Sequence, residues 1–134
     1  MDEFKFVHVF FFFYFYFHLF LVDALKEAGI DEVIVFCVND SAVMQAWAED
    51  QDIAGSFITM MGDPTREFTT ALDVEMNHPG PPSVGIINRS KRCAFHVVDG
   101  VVKAVRVSEG PDDPAGDSDP SATLADAMLE VVKA

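Results

Sequence analysis

Two cysteines, four histidines and one run of cations hold most of the chemistry that this 134-residue chain can offer. Cys37 lies inside the apolar run Val33-Ile34-Val35-Phe36-Cys37-Val38, where a free cysteine acts as a small core hydrophobe. Its reactive alternative is a thiolate beside a helix N-terminus, whose positive end lowers a thiol pKa. Cys93 directly follows Arg92, a charge that would favour a thiolate, yet it alternates with Phe95 and Val97 like a packed strand position. The two lie too far apart in sequence for a C-x-x-C or zinc pattern. A disulfide would need them on adjacent strands, and nothing in the spacing supports one. His8, His18, His78 and His96 are scattered without metal-ligand spacing, so no metal site is expected.

The cations concentrate differently. Arg89-Ser90-Lys91-Arg92 places three of the nine Lys and Arg residues just before a strand, in a chain of formal charge −13. As surface chemistry this is a salt-bridged loop. As site chemistry it stabilises an anion, because a guanidinium favours a thiolate or a developing oxyanion. Glu49, Asp50 and Asp52 read as a solvated helix end. There is no G-x-S-x-G, P-loop or G-x-G-x-x-G, so hydrolase and nucleotide readings lack support and no cofactor is expected. The acidic balance also excludes nucleic acid as a partner, since phosphates would be repelled.

The elements that must position these residues follow from periodicity. Phe17, Phe20, Leu21, Ala24, Leu25 and Ala28 recur at helical spacing, and Gly29 is a C-cap glycine, so a helix is expected from about Tyr16 to Ala28. The run from Val33 to Val38 is a strand buried on both faces. Asn39-Asp40-Ser41 caps a helix from Ala42 to Asp50, with Val43, Met44 and Trp47 inward. Phe57 to Met61 is a short strand. Asp63-Pro64 opens a helix that buries Phe68 and Leu72, and His78 to Pro82 is loop. Cys93–Val98 and Val101–Val107 form a hairpin around Asp99-Gly100, a type I′ signal. Glu109 to Pro120 reads as solvated linker. Ala122 to Val132 is a closing helix capped by Ser121 or Thr123. The order predicts an α/β chain: a central mixed sheet, helices on both faces, and a C-terminal hairpin plus helix, as in a thioredoxin-like fold.

Residues 1–20 stand apart, with nine of the 13 Phe and both Tyr. Three readings compete. A membrane span over residues 6–22 is short of the ~20 residues that cross hydrocarbon, and it contains two histidines. A secretory signal lacks a basic start and a small-residue cleavage site. A buried strand feeding the first helix suits the β preference of aromatic residues, and it is the reading adopted.

Four segments carry a resemblance. Val38-Asn39-Asp40 with Val43-Met44 and Ala46-Trp47 is similar to the V-N-D-x-x-V-M-x-A-W of the atypical, glutaredoxin-dependent peroxiredoxins, the type-5 or type II group. Gly62-Asp63-Pro64-Thr65-Arg66-Glu67-Phe68-Thr69 resembles their A-D-P-x-G-x-F-T, with Arg66 where Gly is usual. Asn88-Arg89-Ser90-Lys91-Arg92 resembles their x-R-S-x-R, and Val98-Asp99-Gly100-Val101-Val102-Lys103-Ala104 their V-x-D-G-V-V-K-A. The segments keep order and spacing from about Asp23 to Ala134.

The resemblance implies a thiol peroxidase that reduces hydrogen peroxide and alkyl hydroperoxides through a cysteine sulfenic acid. It implies glutaredoxin, thioredoxin or glutathione as reductant, a homodimer, and a cytoplasmic or organellar setting. Arg92 corresponds to the arginine that holds the peroxide and steadies the thiolate. One departure stands out. The family's P-G-x-F-T-P-x-C should precede the helix ending at Gly29, but no Cys, Thr or Pro occurs before position 37. Cys37 and Cys93 are then the only substitute thiols. Two expectations follow. The first is a peroxiredoxin domain over 21–134 that is N-terminally incomplete, with an atypical head over 1–20 and impaired activity. The second is a non-catalytic thioredoxin-like binding or dimerisation module, membrane-tethered by residues 6–22 if the head inserts.

Overall fold

The computed structural model describes the backbone of residues 5–9 and 18–134, and the side chains from residue 21 onward. Five strands form one sheet: β1 (Lys5–Val9), β2 (Glu32–Cys37), β3 (Ile58–Gly62), β4 (Arg92–Val98) and β5 (Val101–Ser108). Their spatial order is β3-β2-β1-β4-β5. β1 runs parallel to β2, and β2 parallel to β3. β4 is antiparallel to β1 and to β5, with an irregularity in the β4–β5 register after His96. The α/β reading therefore holds, and part of the aromatic head supplies the central strand. Residues 6–22 are not one continuous helix, because Lys5–Val9 is extended and paired on both sides.

The first helix, α1 (His18–Glu27), ends where Gly29 takes φ +86°. Gly29 N–H donates to the Lys26 carbonyl and Ile30 N–H to the Leu25 carbonyl, the paired bonds of a Schellman cap. The expected start at Tyr16 falls outside the described residues. Leu25 and Ile30 pack with Val33, Ala94, Met128 and Leu129 on one sheet face, under α1 and the last helix, α5 (Ala125–Lys133). Phe36, Val74, Cys93, Phe95 and Val97 fill the other face. The alternation along β4, with Ala94 on one face and Cys93 and Phe95 on the other, follows from the period of two in a strand.

α2 (Ser41–Asp50) begins as expected, with Asp40 Oδ1 accepting from Val43 N–H at 2.9 Å. Its inward stripe is narrower than the sequence suggested. Met44 is buried and Trp47 half-buried, but Val43 is exposed; α2 packs mainly against β3 at the sheet edge.

Three further expectations are corrected. The helix opened by Asp63-Pro64 starts later, as α3 (Glu67–Ala71), because Arg66 takes a left-handed φ of +61°. Asp63 still caps it, from farther back: it accepts from Phe68 N–H, Thr69 N–H and Thr69 Oγ1. Thr69 is the buried residue of α3, while Phe68 lies largely exposed with its ring edge-on to Phe36. The Pro-rich stretch is not all loop, since α4 (Gly80–Ser83) forms there with prolines at its first positions. Finally, neither Ser121 nor Thr123 caps α5. Residues Ser121–Thr123 form a 3-10 turn instead, and Thr123 Oγ1 is buried against Ser108 Oγ at 2.9 Å. The Asp99-Gly100 turn has positive φ at both residues, as type I′ requires.

Candidate functional site

The parallel strands deliver their C-terminal ends to one edge of the sheet, the usual place for chemistry in such folds. β2 ends at Cys37 and β3 at Gly62, paired in register, and Asp63 N–H bonds the Cys37 carbonyl. Gly62 has to be small, since a Cβ there would lie 2.6 Å from the Asn39 carbonyl oxygen. β1 ends at Val9 opposite Ala94, two residues along β4 from Arg92.

The cation cluster splits among separate tasks. Arg89 Nη1 donates to the Val38 carbonyl at 2.9 Å and to Asn39 Oδ1 at 3.2 Å, tying β4's approach to the end of β2. Lys91 pairs with Glu109 at 3.2 Å. Ser90 is buried, and its Oγ finds no hydrogen-bond partner among the described residues. Arg92 is turned inward, with 6% of its side chain exposed. Its Nε donates to the Ala115 carbonyl at 3.2 Å and its Nη2 to Asp117 Oδ1 at 2.5 Å.

These last partners were not foreseen, because Glu109 to Pro120 read as solvated linker. Acidic side chains do face water there, but the backbone is ordered. Asp113 accepts from Asp117 N–H and Ser118 N–H. Gly110 and Asp113 exchange backbone bonds, and Gly116 is buried at φ +68° against the Ser108 carbonyl. The signal available was the Asp-Pro-Ala-Gly-Asp pattern, a turn sequence masked by its charge.

Both cysteines are free and buried. Burial pushes the Cys37 thiol up to about 12, with the Arg89 charge opposing. Burial likewise pushes Cys93 up to about 12; nearby Cys37 adds to this and Lys91 opposes it. β1 separates their strands, and by alternation Cys37 shares a face with Val33 while Cys93 shares one with Phe95. A disulfide on adjacent strands is thereby excluded in this fold. Among the histidines, His78 Nδ1 accepts from Gly80 N–H, and His96 lies within β4 on the opposite face from Cys93. The side chains of His8 and His18 lie outside the described residues. Among those described, no three His, Cys, Asp or Glu groups converge to hold a metal ion, and no helix is long and apolar enough to cross a membrane.

A mixed sheet with this strand order and helices on both faces defines a thioredoxin-like fold. Residues 16–125 match the Redoxin family. The chain belongs to that family and, within it, to the peroxiredoxins. It is 37% identical over 86 residues to the chloroplastic Peroxiredoxin-2E-2 of Oryza sativa, covering 64% of this chain and 38% of the relative. It is 33% identical over 111 residues to the hybrid peroxiredoxin hyPrx5 of Haemophilus influenzae, covering 82% of this chain and 42% of that one. The chain thus spans under half the length of these relatives. Among solved structures it resembles the reduced Prx3 of Vibrio vulnificus in complex with hydrogen peroxide, with a TM-score of 0.74 and 28% identity over 98% of this chain and 78% of the other. It also resembles peroxiredoxin 5 of Alvinella pompejana, with a TM-score of 0.71, 26% identity, and 98% and 79% coverage.

Proposed function

We propose that the protein is a thiol-peroxidase family member whose own peroxide chemistry is impaired. Its inherited reaction is reduction of hydrogen peroxide and alkyl hydroperoxides in cell redox homeostasis, with glutaredoxin, thioredoxin or glutathione as reductant. One observation carries the reading. A buried guanidinium, Arg92, stands at the C-terminal edge of the parallel strands, while both thiols of the chain are buried with pKa values pushed up to about 12.

A peroxidatic step needs a thiolate that attacks one peroxide oxygen, breaks the O–O bond and leaves as sulfenic acid while the second oxygen departs as water or alcohol. Arg92 suits the supporting role, since its fixed positive charge would steady both the thiolate and the departing oxygen. A thiol pKa of about 12 leaves about one part in 10⁵ ionised at pH 7, so neither cysteine supplies the attacking group at a useful rate. The test is hydrogen peroxide consumption with glutaredoxin, glutathione and glutathione reductase. We expect no rate above that of a Cys37→Ser, Cys93→Ser double variant.

A second reading, a thioredoxin-like binding or dimerisation module, is favoured by exposed apolar side chains. Val84, Ile86 and Ile87 precede the cation cluster, and Val43, Met61 and Phe68 are exposed on the elements around the same edge. Sedimentation equilibrium at micromolar concentration tests it: a dimer supports the reading, and a monomer at all concentrations removes the self-association form. An organellar setting accords with relatives named as chloroplastic, mitochondrial and peroxisomal.

A further inference from the structure

We propose that Asp117 is the positioning residue for Arg92, and that the acidic turn from Asp113 to Ser118 is built to hold that guanidinium in one orientation. The inference rests on the role given to Arg92 above and adds what controls it.

A guanidinium has five N–H donors in a rigid fork. Here one edge of the fork is filled by protein, with Nε on the Ala115 carbonyl and Nη2 on Asp117 Oδ1. Among the described residues Nη1 donates to nothing, although the side chain is almost wholly buried. Filling one edge fixes the plane of the group, and among the described residues nothing takes the other edge. That is the arrangement required of an arginine that must meet an incoming oxygen without reorganising.

The turn is constructed for this purpose independently of the pair. Asp113 Oδ1 and Oδ2 accept from the consecutive N–H groups of Asp117 and Ser118 at 3.0 and 2.9 Å, which sets the direction in which Asp117 leaves the backbone. Gly116 holds a left-handed φ in a space closed by the Ser108 carbonyl, so no other residue fits there. Ser108 is the cross-strand partner of Arg92, which brings the turn to the strand position where Arg92 begins. The carboxylate of Asp117 is itself 69% exposed. As a surface ion pair it would contribute little to stability, so its better use is to aim its buried partner.

The experiment follows the Arg92 Nε–H proton by ¹H–¹⁵N NMR in the full chain and in Asp117→Asn, Asp117→Ala and Asp113→Ala, with Arg92→Lys assigning the resonance. We expect a resolved, slowly exchanging signal in the parent. Exchange should be at least about tenfold faster in Asp117→Ala, because losing the charge-assisted Nη2 bond lets the guanidinium swing and weakens the Nε–H bond to the Ala115 carbonyl. Asp117→Asn keeps the acceptor and should restore most of the protection. Asp113→Ala should mimic Asp117→Ala without touching either partner, and amide spectra elsewhere should stay in place. An Arg92 signal unchanged in both alanine variants overturns the proposal. So does a global loss of amide protection in step with the Arg92 signal, which would mark a structural role only. Peroxide consumption is scored separately, so turnover by Cys37 or Cys93 would remove the proposed function while leaving the positioning result to stand or fall alone.

Discussion

Cys37 and Cys93 set the chemistry at the scale of single residues. With both thiols pushed up to about 12 by burial, the folded protein should resist alkylation by iodoacetamide at pH 8, and both should react promptly once it is denatured. Mass spectrometry after timed quenching checks this, and fast labelling of either cysteine in the native state would contradict it. Asp63 works in the opposite direction. Desolvation pulls its carboxyl up, but hydrogen bonds from the Thr69 hydroxyl and the Thr69 and Phe68 N–H groups outweigh that and hold it below the usual carboxylate range. A depressed pKa in the folded state contributes stability that is fully present above the unfolded value of about 3.9 and is lost as pH falls through the folded value. Asp63→Asn should cost about 1–2 kcal/mol at pH 7 and flatten the acid limb of the stability curve. Urea unfolding at pH 7 and at pH 3 measures both effects.

Elements explain why those residues sit where they do. Gly116 stands at a left-handed φ with no room for a Cβ beside Ser108, so Gly116→Ala should destabilise the protein by at least about 1–3 kcal/mol and loosen Arg92 with it. Thermal unfolding with the Arg92 Nε–H signal as second readout checks both. The strands and helices with strong local patterns were legible in advance. Val33 to Val38, the Asp99-Gly100 hairpin and the Gly29 cap each declare themselves by periodicity or by a single residue that only one conformation accepts. Of the head read as a buried strand feeding a helix, Lys5–Val9 forms the central strand of the sheet, and the rest of the tract up to residue 17 lies outside the described residues. What failed has a common cause. In α3 the left-handed Arg66 delays the helix, and in the turn of Asp113 to Ser118 the backbone closes on itself through a side-chain cap. Both rest on short-range side-chain-to-backbone bonds that compete with regular structure and that helical or strand periodicity does not show. Arg92 could be singled out from its neighbours in sequence, but its partners lie 23 and 25 residues away in a stretch whose charge suggested solvent.

The whole molecule joins a peroxiredoxin fold to a formal charge of −13. Self-repulsion at that charge should weaken the compact state at low salt, so the unfolding temperature should rise between about 0.01 M and 0.15 M sodium chloride as the Debye length shrinks from about 30 to 8 Å. Differential scanning calorimetry across that range tests it, and a flat or falling trend would contradict it. The fold and the family match place this chain among the peroxiredoxins. The proposal that its own peroxide chemistry is impaired rests on its thiols, since Cys37 and Cys93 are both buried and burial pushes both up to about 12. The most direct test is stopped-flow hydrogen peroxide consumption at pH 7 by the reduced full chain, beside Cys37→Ser and Cys93→Ser, with glutaredoxin and glutathione supplied. The account predicts the same background rate in all three; rapid consumption by the parent that disappears in either variant would contradict it.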